Sequence, residues 1–227
     1  MKKSTIVLIA AIFVLVIAGV YINVAKELAV NRSKLPEKVI ASKGYQRWIT
    51  NLKNKELDIT SDEFRLLEEN EIYNTKWMQV YSMDQPGVTD KYNQTIEQHQ
   101  NLNKVIYSPS KSQFIDYRHE ERDGYHPNEV HYYGLRDTKL VDARILDCSV
   151  RANCYFDRAF FLDNDVFVIS EVSRNISKND LTAPDCGPSE ECTYTFKVHV
   201  IDLNKNSRLV YESKPFKTVL DNLIKQL

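Results

Sequence analysis

The sequence has little glycine and almost no net charge, and both shortages exclude classes of function. Six glycines in 227 residues leave little room for a glycine-rich phosphate-binding loop, and neither G-x-S-x-G nor H-E-x-x-H occurs. A formal net charge of −1 gives no global field that would attract nucleic acid or anionic lipid. We therefore expect no nucleic-acid partner, and the missing motifs favour a protein without catalytic activity, although a triad defined only by geometry would escape a motif search.

The most informative segment is an uncharged run over residues 4–25 that follows Lys2 and Lys3. Its apolar centre, residues 6–22, would be about 26 Å long as a helix and would nearly span a hydrocarbon core of about 30 Å. A cleaved signal peptide usually has a shorter apolar stretch and a small-x-small site, which fit poorly here. The run predicts an uncleaved transmembrane signal anchor over residues 1–25, with cleavage as the alternative. No cysteine follows the run, which excludes a lipoprotein anchor.

The charges beside this run indicate where the rest of the chain lies. Lys2 and Lys3 favour a cytoplasmic N-terminus, so residues 6–25 are expected to cross the cell membrane once. Residues 26–40 are charged and contain a proline, which predicts a tether. Residues 41–227 then form an extracytoplasmic β-rich domain, which is long enough for its own hydrophobic core.

Four cysteines form two C-x5-C pairs, and an even number in an exported chain predicts disulfides. Local pairing of Cys148 with Cys154 and of Cys186 with Cys192 is expected because each bond closes a short loop. The alternative is a zinc site with four thiolates. Zinc-binding pairs are usually two to four residues apart, which argues against that alternative.

The segments that flank the β-rich region carry helical patterns. Apolar residues recur at helical spacing over 41–55 and again over 216–227, which predicts two amphipathic helices. Thr60 to Glu63 has the composition of a capped short helix. Residues 75–82 have strand composition, and the polar segment 90–101 is interpreted as a surface helix or a loop.

From residue 104 onward, eight short apolar runs alternate with turns, and these runs repeat. The matched segments are 105–117 with 159–171, and 130–141 with 198–210. The pattern predicts a mainly β fold (α+β overall) with two tandem four-stranded antiparallel meanders and flanking helices. The repeat units are about 104–148 and 158–213.

A family resemblance rests on these repeats. The turn in YSPSKSQFI and the turn in YGLRDTKLV resemble those in blades of WD40- and TolB-like β-propellers, over residues 104–213. Propellers have four to eight blades, and two units do not close a ring. The resemblance therefore implies the four-stranded unit and no propeller function. As a whole, the chain resembles uncharacterised bacterial membrane-anchored proteins, a resemblance that implies no activity.

The densest polar segment of the chain is YRHEERDGYHPNEVH, residues 117–131. Its His119, Glu121, His126 and His131 are side chains of the kinds that hold a divalent metal. No two of these histidines have the i, i+4 spacing of one helix face, and a charged hairpin tip explains the composition equally well. A divalent metal is thus an open alternative; otherwise no cofactor is expected.

Two histidines occupy matching places in the two repeat units. His131 and His199 each lie between apolar neighbours in a predicted strand. Such a pair either lines one surface or consists of half-exposed or hydrogen-bonded strand residues.

These observations together favour a membrane-tethered extracytoplasmic interaction module whose ligand is unknown. Incomplete repeat units leave sheet edges, which could pair with a protein partner or with a second copy. One alternative is a metal-binding protein or a metal-dependent hydrolase that uses the His119–His131 loop. Another alternative is a subunit of an envelope assembly.

Overall fold

The computed structural model describes residues 32–72, 77–118, 128–148, 151–176, 180, 182–183 and 186–224. Lys34–Leu227 form one compact unit, and its fold is mainly β with two antiparallel sheets, as predicted. The predicted membrane anchor, residues 1–25, lies outside the described residues. Among the helices that are described, none combines the length and the apolar character needed to cross a bilayer.

Strands are numbered in chain order and belong to two sheets, sheet I and sheet II. Sheet I has the strand order β1 (Arg65–Glu71), β10 (Ser207–Glu212), β9 (Glu191–Asp202), β8 (Val166–Ser173) and β7 (Tyr155–Phe161), with β11 (Phe216–Val219) also paired to β9. Sheet II has the strand order β2 (Met78–Ser82), β6 (Lys139–Asp147), β5 (Glu129–Arg136), β4 (Gln113–Asp116) and β3 (Val105–Tyr107). Four consecutive strands therefore lie side by side in each sheet. The strands β1 and β2 precede both groups in the chain, and each adds to the last strand of one group.

The two sheets pack face to face through a shared apolar layer. In sheet II this layer includes Ile115 and Tyr132, and in sheet I it includes Phe167, Ile169 and Ile201. The rings of Tyr132 and Phe167 stack across it with centroids 6.2 Å apart. Period-2 alternation along each strand gives both sheets a second apolar face, and that face needs its own cover.

A helix covers the outer face of sheet I. After the short helix α1 (Glu37–Ile40), α2 (Lys43–Lys53) begins at Ser42, whose hydroxyl accepts a hydrogen bond from a first-turn backbone N–H. Its Trp48 is buried against Phe196 at a centroid distance of 5.3 Å and donates from Nε1 to Asp157 Oδ2 at 2.7 Å. The helix predicted over 41–55 is thereby confirmed, and so is the capped turn, a 3-10 helix over Ser61–Glu63.

A second helix, α3 (Val88–Gln98), covers part of the outer face of sheet II. Tyr92 stacks on Tyr133 at 6.4 Å, and Phe114 and Leu140 lie in the same apolar cluster. The polar sequence of residues 90–101 is compatible with either a surface helix or a loop. Its sparse apolar residues suffice because they meet the apolar face of a sheet.

The C-terminal segment differs from its prediction. Phe216–Val219 is strand β11, paired with Glu191–Tyr194, and only Leu220–Leu223 is helical, as α4. The predicted helix over 216–227 is therefore wrong for Phe216–Val219 and confirmed for Leu220–Leu223, and residues 225–227 lie outside the described residues. The strand β9 extends beyond β10, and its free backbone groups are satisfied by β11. The expected burial still occurs, because Leu220 and Leu223 lie in the core and Phe216 stacks on Phe196 at 4.8 Å.

Both predicted disulfides are present, Cys148–Cys154 and Cys186–Cys192. The first lies in the connection from β6 to β7, which is the passage from sheet II to sheet I. Because all four sulfur atoms are engaged in these bonds, they form no four-thiolate zinc site.

Candidate functional site

His131 is the one predicted metal ligand within the described residues; His119, Glu121 and His126 lie outside them. It is half-buried on β5, and its Nε2 lies 3.0 Å from Glu129 Oε2. The other oxygen of Glu129 accepts a hydrogen bond from Arg144. The histidine and the carboxylate are thus partners in a network of opposite charges.

Among the described residues, the only three metal-ligand atoms that lie within 4.8 Å of one another belong to Cys148, Cys154 and Glu171. Two of these atoms are bonded to each other in a disulfide and are not thiolate ligands. Among the described residues, His131 belongs to no group of three such ligand atoms. The hypothesis of a metal centre in the His119–His131 loop stays a prediction.

His199 belongs to a second and deeper cluster. Its Nε2 lies 3.0 Å from Glu171 Oε2. Arg151 contacts both oxygens of the same carboxylate: its Nη2 lies 2.8 Å from Oε2, and its Nη1 lies 2.7 Å from Oε1. Glu171 is fully buried on β8, and His199 is buried on β9. Arg151 reaches the Glu171 carboxylate from the loop that the Cys148–Cys154 disulfide closes.

The matched histidines do not line one surface. His199 shares a strand face with Ile201, which belongs to the layer between the sheets. His131 shares a strand face with Tyr133, which belongs to the cluster under α3. The two residues therefore lie in different layers of the fold. The alternative that each is a hydrogen-bonded strand residue is the one that the structure supports.

The charges of the buried cluster follow from its environment. Burial alone would raise the pKa of the Glu171 carboxyl, but the hydrogen bond from His199 and the positive charges of Arg151 and Lys197 outweigh it and lower this pKa to about 2. Burial lowers the pKa of His199 below its usual value, although Glu171 opposes that shift. At neutral pH the carboxylate is ionised, and the neutral imidazole donates to it from Nε2. Its Nδ1 has no hydrogen-bond partner among the described residues.

The described surface also has a small notch beside β2 and β6. It is lined by Ile72, Met78, Tyr132, Val141, Ala143, Arg144, Ile145 and Leu203. Its volume of about 10 Å³ is the space of roughly one water molecule. A notch of this size does not hold a substrate, since ligand sites typically enclose about 300–1,000 Å³.

The edge of sheet II at β2 has the character of a binding surface. The strand MQVYS contains no charged residue, and Val80 at its centre is 46% exposed. Trp77, one residue before the strand, is 44% exposed, and the Arg144 guanidinium lies 3.6 Å from the centre of its ring. On its other side, no described strand pairs with β2. An uncharged edge with exposed apolar side chains is a template for strand pairing.

Three other edge strands, β1, β3 and β7, are protected. The strand β1 carries Arg65, Glu68, Glu69 and Glu71, and charged side chains discourage edge pairing. The strand β3 has only three residues, and β7 is interrupted by a bulge between Phe156 and Arg158. The edge strand β11 has only four residues and carries Lys217, so β2 is the longest uncharged edge strand among those that the structure describes.

The register shows which backbone groups of β2 face outward. The Met83 N–H donates to the Thr138 carbonyl at 3.1 Å, in line with the antiparallel register of β2 on β6. In such a ladder, alternate residues point both backbone groups at the same neighbour. The N–H and C=O groups of Met78, Val80 and Ser82 therefore point away from β6.

Comparison with protein-family models, with curated proteins and with solved structures found no match. The functional interpretation therefore rests on the residues of this chain. The resemblance of residues 104–213 to propeller blades stays a prediction.

Proposed function

We propose that this protein is a membrane-tethered, extracytoplasmic interaction module that binds an extended segment of a protein partner along β2. The observation that carries this proposal is the open, uncharged edge at Met78–Ser82, with Val80 and Trp77 exposed beside it. Residues 6–25 would hold the module in the membrane, with the N-terminus in the cytoplasm. The two disulfides support export, because such bonds persist in oxidising compartments.

The polar clusters favour binding over catalysis. In the deep cluster, Glu171 is engaged by Arg151 and His199 together. In the outer cluster, Glu129 is engaged by Arg144 and His131. A general base needs a path to a bound substrate, and neither histidine faces a described cavity of substrate size. These clusters stabilise the sheets.

Strand addition uses the features found at β2. Main-chain hydrogen bonds give the affinity in this binding mode, and the side chains of alternate residues give the specificity. Val80 offers an apolar contact at the centre of the strand. Trp77 and Arg144 form a stacked pair at one end of it, and both residue types are common among those that dominate binding energy at interfaces.

Site-specific photo-cross-linking in the native membrane tests the proposal. A photoreactive amino acid at Val80 should give a discrete cross-linked species, whereas one at Leu67, which is 47% exposed on the charged edge strand β1, should not. Adding Val80→Pro to a chain with the photoreactive residue at Trp77 should abolish the species, because proline removes an outward N–H and leaves the ladder to β6 intact. Equal cross-linking from Val80 and Leu67, or none from either, would contradict the proposal.

A further inference from the structure

We infer that the strand received by β2 is β2 of a second copy of this chain, in an antiparallel arrangement centred on Val80. This inference rests on the proposed function, because it names the occupant of the same edge. The pairing would join two five-stranded sheets into one continuous sheet across a twofold axis.

The backbone of β2 is complementary to itself. Its outward groups belong to Met78, Val80 and Ser82, which are spaced symmetrically about Val80. Antiparallel pairing centred there sets Met78 of each copy against Ser82 of the other, and Val80 against Val80. Each facing pair exchanges two hydrogen bonds, which gives about six across the three pairs. Every outward N–H thereby meets a carbonyl.

The side chains allow the same pairing. With no charge in MQVYS, no like charges come together at the axis. Two copies of β1 would instead bring Glu68 and Glu69 of both copies together, which is unfavourable because like charges opposed on a sheet repel. The two sheet edges thus differ in the property that decides self-pairing.

The residues that flank β2 also face each other in this pairing. In this register, Trp77 of one copy comes opposite Met83 of the other, one residue beyond the strand at each end. A thioether beside an indole ring is a favourable contact. The exposed Val80 and Trp77, two of the four large apolar residues that are exposed in the described chain, would both be covered. Burial of these side chains favours association because it removes apolar surface from water.

Cysteine cross-linking of the full chain in its membrane tests the inference. The four native cysteines are all bonded, so an introduced cysteine would be the only free thiol. Val80→Cys should form a disulfide-linked dimer, since residues that face each other in such a pair have Cα atoms about 5.5 Å apart, within the range of a disulfide. Leu67→Cys, which matches it in exposure, should stay monomeric on a non-reducing gel.

Light scattering of the full chain in mild detergent gives the second readout. The parent should have the mass of a dimer, and Val80→Lys should weaken dimerisation at least about tenfold, because two like charges meet at the axis. Val80→Pro should be monomeric, with the melting temperature of a folded chain as the check on its structure. A monomeric parent that yields no Val80→Cys dimer overturns the inference. If Val80 then cross-links to a different protein, the proposed function stands, and if it cross-links to nothing, both are wrong.

Discussion

His199 Nε2 lies 3.0 Å from a carboxylate oxygen of Glu171 on the neighbouring strand, and both side chains are buried in sheet I. The imidazole of His199 is neutral and the carboxylate of Glu171 is ionised, because Arg151 already balances the charge of the carboxylate. A second positive charge on the imidazole would be both desolvated and close to Arg151. This arrangement makes stability depend on pH.

Stability should fall as the pH drops below about 6.5. The folded-state pKa of His199 lies below its unfolded value, so the unfolded chain binds the proton more readily and gains population as the pH falls. We expect the free energy of unfolding to decrease by up to about 1.4 kcal/mol per pH unit in this range. Urea unfolding at pH 7.5, 6.5 and 5.5 measures it. His199→Gln, which keeps an N–H donor but does not titrate, should flatten the slope; an unchanged slope would assign the effect to other groups.

Replacing Glu171 by glutamine should be strongly destabilising at neutral pH. The substitution leaves Arg151, whose side chain is 25% exposed, without its counter-charge. Breaking a fully buried pair costs about 3–5 kcal/mol, and solvent access to Arg151 should bring the cost here to about the lower end of that range. The folded-state pKa is lowered to about 2, so the contribution of the carboxylate is present above the unfolded pKa and is lost as the pH falls toward 2. Glu97→Gln, on the exposed face of α3, is the control and should change the unfolding free energy by less than about 0.5 kcal/mol. Similar effects of both substitutions in urea titrations would refute the role of the pair.

Gly44→Ala should destabilise the contact between α2 and β7. A Cβ at this position would lie 2.3 Å from Cγ of Phe160, so the ring has to move. Overpacking of this kind costs about 1–3 kcal/mol, which corresponds to a fall of several degrees in Tm. Gly187→Ala is the matched control, since its Cβ would have only ordinary contacts of 3.6 Å or more. Equal melting temperatures for the two variants would show that the helix adjusts freely.

The C-terminal segment should contribute to the stability of the whole unit. Leu220 and Leu223 are buried in the core cluster of sheet I, so Leu220→Ala and Leu223→Ala should each cost about 2–5 kcal/mol. Asn222→Ala lies between them on an exposed position and should have little effect. Thermal unfolding of the three variants makes the comparison. If the leucine variants melt with the parent, the segment is only loosely attached.

The topology prediction has its own test. Alkaline phosphatase is active only after export, so a fusion after Leu227 should be active if the N-terminal lysines hold residue 1 in the cytoplasm. A fusion after residue 3 should be inactive. An inactive C-terminal fusion at normal expression would place the β-rich domain on the cytoplasmic side.

Local patterns predicted the parts of the fold that local patterns determine. Short apolar runs separated by turns gave the hairpins, and the C-x5-C spacing gave both disulfides, because neighbours in sequence form these features. The helix predicted over 216–227 is wrong only for Phe216–Val219: the apolar spacing of these residues fits a helix, but they pair with a strand that lies about 25 residues earlier. Tertiary pairing decided between the two patterns.

The position of the candidate site at a sheet edge could not be predicted from the sequence. Residues 75–82 were predicted as a strand, but whether a strand lies at an edge depends on partners far away in the chain. The histidines show the same limit. His131 and His199 have similar neighbours in sequence, yet the stacking of the sheets puts His199 between the two sheets and His131 on the outer face of sheet II. The sequence signal that was available at β2 is its lack of charge beside the charged β1.

The placement of β1 and β2 has a consequence for folding during synthesis. Arg65 pairs with Glu212, and Met78 pairs with Ala143, so each early strand waits for a partner that leaves the ribosome much later. Sheet I is incomplete until almost the whole chain has been synthesised. A chain that stalls midway would expose two unpaired strands at once, and contacts of such long sequence separation form slowly. The protein is therefore expected to depend on a holding chaperone during synthesis more than its modest size suggests.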